Sequence, residues 1–128
     1  MAKHKGKELQ AIEDPEKYFN SLGGLHDARV ERIDWLPGEQ KFILFIDDLN
    51  SNFLDLPEYE GLAPVQLLLN GVESVNFKFA KCESYLNIYE FTIHKSSSRL
   101  EVNIKFWPSG QCDLQCSSIG IKKHGVTH

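Results

Sequence analysis

A chain of 128 residues, 41% hydrophobic and 25% charged, is long enough to bury one core without staples and too short to need a second domain. No run approaches the roughly 18 apolar residues of a membrane-spanning helix. A net charge of −4 disfavours a nucleic-acid or anionic-membrane reader, which needs a broad cationic surface to neutralise phosphates.

The basic start, Met-Ala-Lys-His-Lys-Gly-Lys-Glu, lacks the apolar core of a secretory signal. Cys82, Cys112 and Cys116 cannot pair completely, which fits a reducing cytoplasm. Residues 1–8 read as a lysine-spaced tail and 9–128 as a single domain. Asp14-Pro15-Glu16 opens a short helix: the aspartate caps, the proline suits the first turn, and the glutamate meets the positive end of the dipole. Phe19 and Leu22 then face the core, and Gly23-Gly24 closes the helix in the left-handed conformation.

Ala28 to Trp35 reads as a strand whose apolar parity changes, which predicts a bulge near Glu31-Arg32. Leu36-Pro37-Gly38-Glu39 suits a type II turn leading into Phe42–Ile46. That run is apolar on both parities and is expected to be central and covered on both faces, the helix covering one. Residues 47–64 form a long acidic connection of the kind that often carries function. Val65–Leu69 and Val72–Phe79 flank Asn70-Gly71, either as a hairpin or as one long strand with a glycine bulge.

From Tyr89 to Phe106 apolar and polar residues alternate. Tyr89, Phe91 and Ile93 oppose Glu90, Thr92 and His94, and Leu100, Val102, Ile104 and Phe106 oppose Glu101, Asn103 and Lys105, which is a half-buried antiparallel hairpin. After a turn at Trp107-Pro108-Ser109-Gly110, Cys112, Leu114 and Cys116 alternate as the last strand, running on past a bulge through Ile119 and Ile121. The expected fold is α+β: a short N-terminal helix packed on a mostly antiparallel, meander-connected sheet of about six strands.

Candidate chemistry is sparse. Cys112-x3-Cys116-x7-His124-x3-His128 has the residue types of a zinc site. On one straight strand, however, four steps of about 3.3 Å part the two cysteines by roughly 13 Å, too far to share a zinc at about 2.3 Å from each sulfur. They read instead as small core hydrophobes, and no metal site or cofactor is expected. Asp48-x-Asn50-x-Asn52 opens like a calcium loop, but Phe53 stands where glycine is required and Tyr59 where the bidentate glutamate belongs, so these side chains are expected to bond their own turn. His26-Asp27 could serve as an acid/base pair. No nucleophile motif accompanies it, and it reads as a structural polar pair fixing the entry into the first strand, with the aspartate satisfying backbone donors. His94 joins Glu90 and Lys105 on a wet face.

Charge distribution says more than its sum. Between Lys41 and Lys78 there is no Lys or Arg, while Asp47, Asp48, Asp55, Glu58, Glu60 and Glu73 fall in that interval. Asp47, Asp48, Asp55, Glu58 and Glu60 are candidate contacts for a basic protein partner, with Trp35 and Trp107 as candidate aromatic anchors.

The stretch Gly24-Leu25-His26-Asp27-Ala28-Arg29-Val30, the apolar strand ending in Asp47-Asp48, and Asn70-Gly71-Val72-Glu73-Ser74-Val75 resemble small uncharacterised bacterial proteins, some of them similar to immunity proteins of polymorphic toxin systems. The resemblance implies a non-enzymatic inhibitor that binds a cognate toxin, often through an acidic surface, and it transfers no catalytic residue. The expected function is therefore a cytoplasmic interaction module. The competing expectations are a small metal-dependent enzyme or ligand-binding domain using His26, Asp27 and the 47–58 acids, and a homodimer paired through a sheet edge.

Overall fold

The computed structural model describes residues 9–78 and 86–123. The expected tail 1–8, Phe79, Cys82, His124 and His128 lie outside them. The elements are β1 (Gln10–Ala11), α1 (Pro15–Ser21), β2 (Arg29–Leu36), β3 (Lys41–Ile46), β4 (Val65–Asn70), β5 (Val75–Lys78), β6 (Leu86–Ser96), β7 (Arg99–Trp107), β8 (Gln111–Cys116) and β9 (Ser118–Lys123). The nine strands form one antiparallel sheet of order β1-β9-β4-β3-β2-β6-β7-β8-β5. The α+β class with a short helix on an antiparallel sheet holds, but the strand count exceeds the six expected.

Part of the excess is β1, Gln10–Ala11, at a place where no strand was expected, and part arises where the run through Cys116 and Ile119 is cut. β8 and β9 are separated only by Ser117, whose backbone N–H donates to the Asn70 carbonyl at 2.7 Å. β8 pairs with β7 and β5, whereas β9 pairs with β4 and β1. Strands adjacent in sequence but remote in strand order require the sheet to curl, and the ring of buried Phe42 on β3 meets that of exposed Phe77 on β5 at 5.8 Å between centroids. β4 and β5 likewise never pair. Asn70-Gly71 is not a hairpin but a corner between the two halves, with Gly71 at φ 74° and the Val72 N–H bonded to the Gln40 carbonyl.

The halves join where β2 meets β6, through Arg29 opposite Asn87 and Val30 opposite Leu86. Helix α1 packs at this junction. Asp14 caps it by accepting from the Lys17 N–H at 3.2 Å, buried Phe19 sets its ring 4.9 Å from that of Phe91, and Gly23 and Gly24 take φ of 70° and 64°. The helix therefore seals β6 and does not cover β3. β3 is central, between β2 and β4, and its Phe42, Leu44 and Ile46 are buried, each worth about 1.5–3 kcal/mol of burial. Its other face carries half-exposed Ile43 and Phe45, the latter under the Arg32 guanidinium at 5.1 Å.

One turn differs from expectation, and one strand carries an unexpected bulge. Pro37–Glu39 forms a single 3₁₀ turn, and the left-handed residue is Gln40 at φ 56°, not Gly38. The expected bulge in β2 is present between Val30 and Arg32. A second bulge between Ile88 and Glu90 interrupts the alternation in β6, so Tyr89 points outward at 55% exposure while Phe91 and Ile93 remain inside.

Candidate functional site

The acidic connection leaves β3 at Ile46 and returns at Val65, and its stem is built by two aspartates. Asp47 exchanges bonds with Arg29: its N–H donates to the Arg29 carbonyl at 3.1 Å, and its Oδ1 accepts from the Arg29 N–H at 2.8 Å. Asp48, only 6% exposed, is the organising residue. Its Oδ1 accepts from the N–H groups of Asn50 and Ala63 at 3.0 and 3.1 Å, and its Oδ2 from the Tyr59 hydroxyl at 2.8 Å. One carboxylate thus ties the outgoing strand, the middle and the returning strand. The Leu49 N–H to Ala63 carbonyl bond and the Asn50 Nδ2 to Gly61 carbonyl bond, both 2.8 Å, reinforce it.

This geometry corrects the expectation that Asp48 contacts a partner. At 6% exposure, with three donors of its own loop on its two oxygens, the Asp48 carboxylate offers a partner almost no accessible surface. It also accounts for the alternating Asp48-x-Asn50-x-Asn52 pattern, whose first two members bond within the loop while the Asn52 side chain packs against Gly23. The Tyr59 phenol is pushed above its ordinary pKa, first by its hydrogen bond to Asp48, then by burial and by the negative charges of Asp48, Asp47 and Asp55.

Beyond the stem the loop displays a different surface. Asp55, Glu58 and Glu60 are exposed, and between and beside them stand Leu54, Leu56 and Leu62 at 56%, 50% and 71% exposure. Sequence reasoning missed the leucines. The available signal was Pro57 and Gly61 among them, which break any regular element that could turn the three leucines onto one packing face.

His26 and Asp27 lie beside the stem. The His26 carbonyl accepts from the Ser51 hydroxyl at 2.8 Å, its Nδ1 lies 2.9 Å from the Tyr89 carbonyl, and its Nε2 lies 3.6 Å from the Asp27 carboxylate. Asp27, at φ 72°, donates its N–H to the Ile88 carbonyl at 2.9 Å. The pair fixes the entry to β2 by tying it to β6 and the acidic loop. The aspartate contributes through its backbone, where the expectation placed its side chain.

The tryptophans separate. Trp35 is half-buried with its ring 6.3 Å from Phe42, so it plugs the core and is not an exposed anchor. Trp107 is 61% exposed and faces outward opposite Asn87. The outer face of β6, β7 and β8 is wet, as read: His94 stands opposite Glu101, and the Lys105 ammonium lies 3.7 Å from Glu90. A shallow groove of about 690 Å³ crosses it near Glu73, Arg99 and Asp113, where the Asp113 carboxylate already accepts the Asn103 and Gln111 amides.

Cys112 and Cys116 line the inner face of β8, fully buried. Burial, with the neighbouring Asp113 charge, pushes the Cys112 thiol up to about 12. Burial pushes that of Cys116 up to about 11 against the opposing pull of Arg99. Among the described residues no three His, Cys, Asp or Glu side chains gather closely enough to hold a metal ion, and no helix is long and apolar enough to cross a membrane. No protein-family model and no curated protein matches the chain.

Proposed function

We propose that this chain is a non-enzymatic interaction module, of the immunity-inhibitor kind, that holds a basic protein partner on its ordered acidic loop. The observation carrying the reading is the display of Leu54, Leu56 and Leu62 in water among Asp55, Glu58 and Glu60, on a loop whose shape Asp48 fixes from within. Apolar side chains held out on a preorganised support lose little entropy when a partner covers them, and they supply the buried centre of an interface. The surrounding carboxylates, in a segment without a compensating Lys or Arg, supply the charged rim and select for a cationic surface.

The leucines provide the test. The partner is captured on the wild-type chain from the source organism and identified by mass spectrometry. Its dissociation is then measured against a variant carrying Leu54→Ser, Leu56→Ser and Leu62→Ser. The reading predicts a basic partner and dissociation at least about tenfold faster from the variant, since losing an interface centre acts mainly on the off-rate. Equal dissociation from both proteins would contradict it.

A further inference from the structure

We infer that the outer face around Trp107 and Tyr89 is a carbohydrate-binding site, on which the rings of a glycan chain stack. Of the large hydrophobic side chains exposed among the described residues, only these two lie on β6, β7 and β8, at 61% and 55% exposure. Trp107 shares its face with Asn87, its partner across the ladder. Tyr89 belongs to the bulge two residues further along β6, which turns it outward together with Glu90. Bulges of this kind re-aim side chains beside binding sites.

A second device supports the same spot. The edge-on His26 ring lies 5.8 Å from that of Tyr89, and the His26 Nδ1 engages the Tyr89 carbonyl. The backbone that brings His26 there passes through Leu25 and Asp27, both non-glycine residues at positive φ, 56° and 72°. Such conformations cost free energy and concentrate at ligand sites. Turn and bulge together hold the Tyr89 ring outward at 55% exposure, edge-on to His26.

The surroundings choose the ligand class. No exposed aliphatic side chain of these strands adjoins the two rings. Around them stand the Asn87 amide, the Asp27 carboxylate, the His26 imidazole and the Glu90–Lys105 pair. A protein hot spot buries its aromatics in an apolar, fully desolvated centre. A sugar ring instead offers C–H faces to an aromatic plane and hydroxyl edges to amides and carboxylates, a few placed polar groups fixing its orientation. A nucleic-acid strand also stacks but needs a cationic track, which Asp27 and Glu90 interrupt.

The experiment titrates the full chain with cellohexaose, xylohexaose, mannohexaose and chitohexaose, read by tryptophan fluorescence and calorimetry. At least one is expected to bind with Kd near or below about 1 mM. Trp107→Ala is expected to weaken it at least about tenfold with an unchanged thermal transition, Tyr89→Ala severalfold, and Tyr89→Phe hardly at all because the ring remains. The variant with Asp55→Asn, Glu58→Gln and Glu60→Gln should bind sugar like the wild type, which separates this site from the proposed protein contact. Absence of binding for all the hexasaccharides at about 10 mM, or full affinity in Trp107→Ala, would overturn the inference. So would a Trp107→Ala variant that binds no sugar differently but loses the captured protein partner.

Discussion

Asp48 shows how a charge can be counted correctly in a sequence and still be assigned the wrong task. Its partners are the Asn50 and Ala63 N–H groups and the Tyr59 hydroxyl, and only the closed loop brings Tyr59 and Ala63 to it. Asp48→Ala removes the acceptor from all three donors and is expected to destabilise the fold by about 1–3 kcal/mol in chemical denaturation. Asp55→Asn, on the exposed tip, should change stability by no more than about 0.5 kcal/mol. Tyr59 gives the pH dependence. Its proton is held more tightly in the folded state, so the bond to Asp48 stabilises the loop below the ordinary tyrosine pKa and is lost as pH rises through the raised one. The protection factor of the Ala63 amide, taken relative to its intrinsic base-catalysed rate, should fall across that alkaline window in the wild type and stay level in Tyr59→Phe. The cysteines were legible because their apolar alternation with Asp113 and Gln115 fixes their face. With thiols pushed to about 12 and about 11, both should resist maleimide at pH 8 in the native protein of a Cys82→Ser variant and react fully once unfolded; rapid native labelling would place them outside the core.

Strand β3 divides the predictions for its two phenylalanines. Phe42→Ala empties a fully buried site and is expected to cost about 3–5 kcal/mol, whereas Phe45→Ala removes a half-exposed ring under Arg32 and should cost clearly less. Equal losses in urea unfolding would contradict the one-sided burial of β3. The position of this strand was readable from its unbroken apolar run, but its outer face was not, because nothing in Phe42–Ile46 states where the helix goes. The helix itself was legible to the residue, since Asp14, Pro15, Gly23 and Gly24 act within one turn of chain. What failed were the junctions. Ser117 separates β8 from β9 by bonding to Asn70, 47 positions away in sequence, and Gly71 turns a corner whose hairpin-like dipeptide looks local but is not. Tyr89 was placed inside because alternation assumes a regular ladder, and its bulge depends on the register with β7.

Two outward surfaces of the described residues concern function: the acidic loop that joins β3 to β4, and the wet face of β6, β7 and β8. The acidity of the first was evident from the missing Lys and Arg between Lys41 and Lys78. Its leucine anchors were hidden because exposure of an aliphatic residue is a property of the folded loop. The proposed function requires that Asp55, Glu58 and Glu60 steer a basic partner onto those leucines. Stopped-flow association of the captured partner with wild type and with the Asp55→Asn, Glu58→Gln, Glu60→Gln variant, at low salt and at about 0.5 M, where exposed charges are screened within a few ångströms, tests it most directly. The prediction is that the variant associates severalfold more slowly at low salt, that high salt slows the wild type to the same rate, and that the unfolding transition is unchanged. Association at one salt-independent rate for both proteins would contradict the claim.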